Sequence, residues 1–189
     1  TNNRKIIPPH ELDIWVPSKN FAIEYNGLYW HNELRKSNTY HENKTLECRS
    51  KNLQLLHIFE DEWNEKRDII KSLISHRLGV TQKSIGARKC SIIQLTKDQR
   101  YEFFEENHID GDTVIDAIGW GLMFEGELVA AINIRKPFHK KSQSNFLELA
   151  RFCTAKHTSV PGGLARLTKV ALQYAQNQGY DGLMTYVDT

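Results

Sequence analysis

No stretch of the sequence approaches the ~18 consecutive apolar residues of a membrane-spanning helix, so no membrane span and no membrane partner are expected. The opening Thr1 to Pro9 is polar and has no apolar signal core, which argues against secretion. Cysteine is scarce. Cys48, Cys90 and Cys153 are odd in number and widely spaced, form no zinc or redox motif, and suit a reducing, cytoplasmic compartment. Charge of one sign is lacking too: 25 Lys and Arg against 23 Asp and Glu leave a net +2, too little by itself to imply nucleic acid. Internal repeats and low-complexity tracts are absent.

What remains is ordinary globular composition, 40% hydrophobic and 25% charged over 189 residues, enough for one large domain or two small ones. The positive charge is clustered, at Arg35, Lys36, Lys44, Arg49, Lys51, Lys66, Arg67 and Lys71. Such a cluster is either an anion-facing surface or a solvated mixed-charge face. The chain opens on Thr and stops just after an apparent strand, so it reads as a piece of a longer protein. The turn-forming Gly79 to Arg88 divides it into segments 1–79 and 88–189.

Apolar alternation at Leu12, Ile14 and Val16, and again at Phe21, Ile23 and Tyr25, predicts a β-hairpin turning over Pro17 to Asn20. A helix over 40–51, a strand over 53–59 and one helix over 60–78 follow. The second segment predicts strand 90–95, helix 96–107 capped by Thr96, and strands 118–124, 127–134 and 146–153. Helix 163–178 and strand 182–187 complete it. Glu125-Gly126 makes a tight turn, and Gly179 stops the last helix.

If Val16 pairs with Phe21, antiparallel counting sets Asp13 opposite Glu24, with Asn26 on the face of Glu24. Two opposed carboxylates either lie on a plain polar face or hold a cation, for which Mg²⁺ (or Mn²⁺) suits oxygen ligands. His31 follows a few residues on and is able to move a proton near neutral pH. Tyr29 and Trp30 beside it are candidate DNA wedges or core residues, and Lys44, Arg49 and Lys51 are candidate phosphate contacts.

Glu11-Leu12-Asp13-Ile14 and Ala22 to His31 (AIEYNGLYWH) resemble the very-short-patch-repair (Vsr-like) endonucleases, and still more their phage homing-endonuclease relatives in the PD-(D/E)XK superfamily. Leu55 to Trp63 resembles the strand-to-helix passage closing that core. The resemblance covers about residues 10–78. It implies a restriction-endonuclease-like α/β core and a metal-dependent phosphodiester hydrolase acting on DNA, in a bacterial or phage-infected cell. Asp13 and Glu24 would hold the metal together with the Tyr25 backbone carbonyl. Asn26 and His31 fall where these enzymes carry histidines, of which only His31 is kept. Asn26 also replaces the superfamily's usual lysine. Asp61 matches a later acidic residue of the homing relatives.

The order strand, helix, three strands, helix, strand resembles the first two-thirds of the GNAT acyltransferase-like fold, a partial α+β domain. That likeness implies a pyrophosphate cradle at Gly162, Gly163 and Ala165, which by itself is also an ordinary loop. Val160 stands where Gln or Arg is usual, so weak or no coenzyme A binding is expected. Asn107-His108, Glu148 to Cys153 and Tyr186-Val187-Asp188 resemble phage proteins related to the Mom-type DNA-modification enzyme, implying His108 and Asp188 as site residues. The expectation is therefore a Mg²⁺-dependent endonuclease followed by a GNAT-like domain. The rivals are a DNA base-modifying acyltransferase-like protein and a DNA-binding remnant.

Overall fold

The computed structural model describes residues 4, 6–27, 39–113, 116–137 and 145–186, with the side chains of 39 and 40 excepted. It is mixed α/β with several sheets. Its contacts divide the chain into Thr1–Val80 and Thr81–Asp188.

The first unit holds β1 (Ile14–Val16), β2 (Phe21–Asn26), α1 (Thr39–Ser50), β3 (Gln54–Phe59), α2 (Glu60–Glu65) and α3 (Arg67–Leu78). The hairpin register is the expected one, with Val16 opposite Phe21 and Ile14 opposite Ile23. Asn20 takes a left-handed conformation to close the turn. The alternation misplaces the buried face, however. Ile14 is 46% exposed, while Trp15 packs on the core of Ile7, Leu12, Ala22, Cys48 and Leu53. β2 is central, antiparallel to β1 and parallel to β3, and its first three residues are all buried, so apolar alternation does not mark a single inner face. The single helix expected over 60–78 is two, because Lys66 leaves helical geometry at φ −126°, ψ 34°.

The second unit is a five-stranded sheet in the order β10 (Gly182–Met184), β8 (Phe146–Thr154), β7 (Glu127–Arg135), β6 (Ile118–Phe124), β5 (Ser91–Gln94). All neighbours are antiparallel except β8 and β10. Two helices cover it: α4 (Lys97–Asn107) follows β5, and α5 (Gly163–Asn177) joins β8 to β10. A short parallel pair, β4 (Lys83–Ser84) with β9 (Thr158–Ser159), was not foreseen, since two-residue strands leave no period to read. The last strand stops at Met184, short of the expected 187.

Small residues let the helices approach the sheet. Gly163, Leu167, Ala171 and Ala175 form the buried stripe of α5, against Leu122, Ala130 and Ile132. On the α4 side, a Cβ at Gly121 would collide with Leu128 and Leu95, and one at Gly119 would press on Arg100. Arg100 is on the buried side of that helix, 3% exposed, with its Nε 2.9 Å from Asp112 Oδ2 and its guanidinium donating to the Ala117 carbonyl. Asn133 completes the cluster by donating to Asp112 at 3.0 Å. Buried charge of this kind persists only when paired and hydrogen-bonded.

Candidate functional site

In the first unit the polar centre assembles around β2. Asp13 Oδ2 accepts the Tyr25 backbone amide at 2.8 Å. Glu24 takes the ammonium of Lys44, which is 1% exposed although it comes from a helix of mostly polar sequence. Burial pushes the Glu24 carboxyl above the usual carboxylate range. Lys44 opposes that shift, and the Asp13 charge adds to it. Asn26, also buried, lies 3.3 Å from His57 Nδ1, and the other ring nitrogen lies 3.0 Å from Thr45 Oγ1. Burial, with His41 and Lys44 nearby, lowers His57 to about 4, so the ring is neutral at physiological pH.

Asp13, Glu24, Tyr25 and Asn26 are thus brought to one hairpin; Lys44 takes Glu24 Oε1, while Glu24 Oε2 is buried with no hydrogen-bond partner among the described residues. Lys44 was expected to reach phosphate; instead it is buried on Glu24, which is a correction. Arg49 is exposed, while Lys51 bonds the Ile6 carbonyl and lies 3.7 Å from Glu47. Asp61 is exposed in the first turn of α2, where its carboxylate accepts the Glu62 amide at 3.0 Å. Tyr29, Trp30, His31 and Asp188 lie outside the described residues.

The second unit offers a different arrangement. Gly162, at φ +80°, ends the lead-in loop, and α5 begins at Gly163. Only glycine takes that conformation routinely. Gly163 N bonds Val160 O and Arg166 N bonds Gly162 O, and no described residue accepts the amides of Leu164 and Ala165. These are orphan donors at the positive end of a 15-residue helix. The loop is clamped to the 3₁₀ turn Ala87–Lys89. Ala87 N bonds Pro161 O at 3.0 Å, while the Arg166 guanidinium donates to the carbonyls of Ala87 and, at 2.7 Å, of Cys90. That clamp sets the exposed Arg88 and Lys89 on a turn bonded to the start of α5. They were missed in the sequence because nothing there links position 88 to position 162.

Residues of the second sequence resemblance also converge. His108 caps α4, its Nδ1 accepts the Asp110 amide at 3.1 Å, and Asp110 lies 3.8 Å from Arg151. A β-bulge between β7 and β8 pairs Asn133 with Arg151 but Ile134 with Leu149. Skipping Ala150 puts Glu148 and Arg151 on one face, and Glu148 bonds Arg135 at 2.8 Å.

No family model matches the sequence, and no curated protein does. Among solved structures, an aminoglycoside acetyltransferase from an uncultured soil metagenomic sample, in complex with sisomicin, is similar over part of the fold. The match covers 54% of this chain and 80% of that one, at 10% identity and a TM-score of 0.39. The expected Mg²⁺-dependent DNA endonuclease is corrected by the site itself, and no family model supports a Vsr-like core. Lys44 pairs with one oxygen of the Glu24 carboxylate, and no group of three or more His, Cys, Asp or Glu among the described residues is placed to hold a metal ion. The expected Mg²⁺ (or Mn²⁺) preference falls with it. So does the expectation against an acetyl-CoA-type cofactor, which rested on Val160. That side chain is 6% exposed and belongs to the core, so the position is structural. No helix among the described residues is long and apolar enough to cross a membrane.

Proposed function

We propose that residues 81–188 form an acyltransferase-like module that holds a coenzyme A-type carrier by its pyrophosphate at the start of α5. The observation that carries this reading is the pair of unaccepted amides, Leu164 and Ala165, behind the left-handed Gly162. A pyrophosphate fits them, since it brings the negative charge that a helix N-terminus favours and oxygen acceptors for both N–H groups. Arg88 and Lys89 add long-range positive charge on a turn that Arg166 fixes in place.

When bound, such a carrier supplies an acyl group activated as a thioester. Its transfer to an amine would exchange the carbon–sulfur bond for a carbon–nitrogen bond, the proton lost by nitrogen leaving on the carrier's thiol. The chain's own contribution is to neutralise and orient the carrier. Gly162 brings the backbone close, the two amides fix the phosphates, and the turn steers them in.

Calorimetry of the chain with coenzyme A tests this directly. Binding should weaken about tenfold, or about 1.4 kcal/mol, when Arg88 and Lys89 are both replaced by Ala. It should weaken with salt as well. Thiol release from acetyl coenzyme A in the presence of an amine panel then reports transfer. A folded chain that binds no coenzyme A overturns the proposal.

A further inference from the structure

The sheet face away from α5 carries a cleft of about 560 Å³, within the ~300–1,000 Å³ range of small-molecule sites. It opens where α4 stands beside the first residues of β7. Phe103, Leu128, Val129 and Ala155 give it an apolar floor.

Its rim is charged. Glu102 and Glu106 are one turn apart on α4, Glu127 begins β7, and Lys83 and Lys156 face them. Lys83 Nζ lies 3.2 Å from Glu127, and Lys156 Nζ lies 3.4 Å from Glu106. Those two pairs use both ammonium groups and leave Glu102 without a counter-charge among the described residues. The helix adds to the same sign. α4 ends at this cleft with no basic residue in its last turn, so the negative end of its dipole is unmatched by its own side chains.

We infer that this cleft binds an organic amine, its ammonium on Glu102 and its hydrocarbon or aromatic body on the apolar floor. A carboxylate of the same shape meets the surplus negative charge and is rejected. A neutral ligand gains the floor but leaves Glu102 unpaired. Binding here is independent of carrier binding at α5, which calorimetry with coenzyme A reads separately.

The test uses three probes with one body and three heads: 2-phenylethylamine, 2-phenylethanol and 3-phenylpropanoate, titrated into the 189-residue chain. The amine should bind at least tenfold tighter than the other two, and its advantage should shrink with salt. Glu102→Gln should erase that advantage while leaving binding of the alcohol unchanged. Ala155→Trp, which fills the floor, should abolish binding of all three, with circular dichroism checking its fold. Glu102 is exposed, so its Gln variant is a sound test even if the Trp variant unfolds. An amine that does not bind, a carboxylate that binds as tightly, or an amine preference that survives Glu102→Gln each overturns the inference.

Discussion

Replacing Lys44 by Met leaves the Glu24 carboxylate buried without its counter-ion. Breaking one partner of a buried pair costs about 3–5 kcal/mol, whereas replacing both by apolar groups is often close to neutral. Urea unfolding should therefore show a large loss for Lys44→Met and recovery of most of it when Glu24→Leu is added. His57 gives a second test through pH. It titrates at about 4 in the fold against 6.5 ordinarily, so between those values the unfolded chain binds a proton that the folded chain refuses. The stability contributed by the neutral ring is complete above pH 6.5 and is lost as pH falls through about 4. The urea midpoint should drop on acidification across that window, and His57→Gln should flatten the drop. At this scale the sequence was half legible. The hairpin register brought Asp13, Glu24 and Asn26 together, but lysine is almost never fully buried, so the reading placed Lys44 outside. Its partner is 20 positions away and on another element.

The helix α4 starts with a capping box in which Thr96 Oγ1 accepts the Gln99 amide at 3.2 Å and the Gln99 side chain accepts the Thr96 amide at 3.0 Å. Thr96→Ala should cost about 1 kcal/mol, read by thermal or urea unfolding. The bulge at Ala150 is a different kind of feature. Deleting that residue removes only the unpaired position, so Arg151, Leu149 and Glu148 pair in regular succession with Asn133, Ile134 and Arg135, and Glu148 and Arg151 keep one face. Such a chain should keep the Arg135–Glu148 pair and the Arg151–Asp110 contact and unfold within a few degrees of the parent. The cap was visible as Thr96, and the strands of the second sheet were visible from their apolar runs. Short-range chemistry writes both. The bulge, the break at Lys66 and the β4–β9 pair were not visible. Each is decided by contacts with distant chain, and no Gly or Pro marks the break.

At the scale of the molecule, each unit has its own apolar core. Leu12 lies wholly inside one and Leu122 inside the other. Leu→Ala at either site should cost about 2–5 kcal/mol where it is made. Amide exchange should quicken over β2 and β3 for the first change, and over β6 and β7 for the second. Gly79 to Arg88, with its turn-formers and no apolar period, predicts a two-part chain, and the contacts divide the chain after Val80; function was not legible. The hairpin motif pointed to a nuclease, whereas the fold pairs Glu24 with a buried Lys44 and gathers no set of three metal-ligating side chains among the described residues. Arg166 carries a further consequence. One guanidinium nitrogen, Nη1, donates to the carbonyls of Ala87 and Cys90 at the two ends of a short turn, so the helix start and that turn form a single lever. A methionine has no donor to offer. In an Arg166→Met chain the turn would lose that hold on the helix, and the amides of Lys89 and Cys90 would take up deuterium long before those of Leu167.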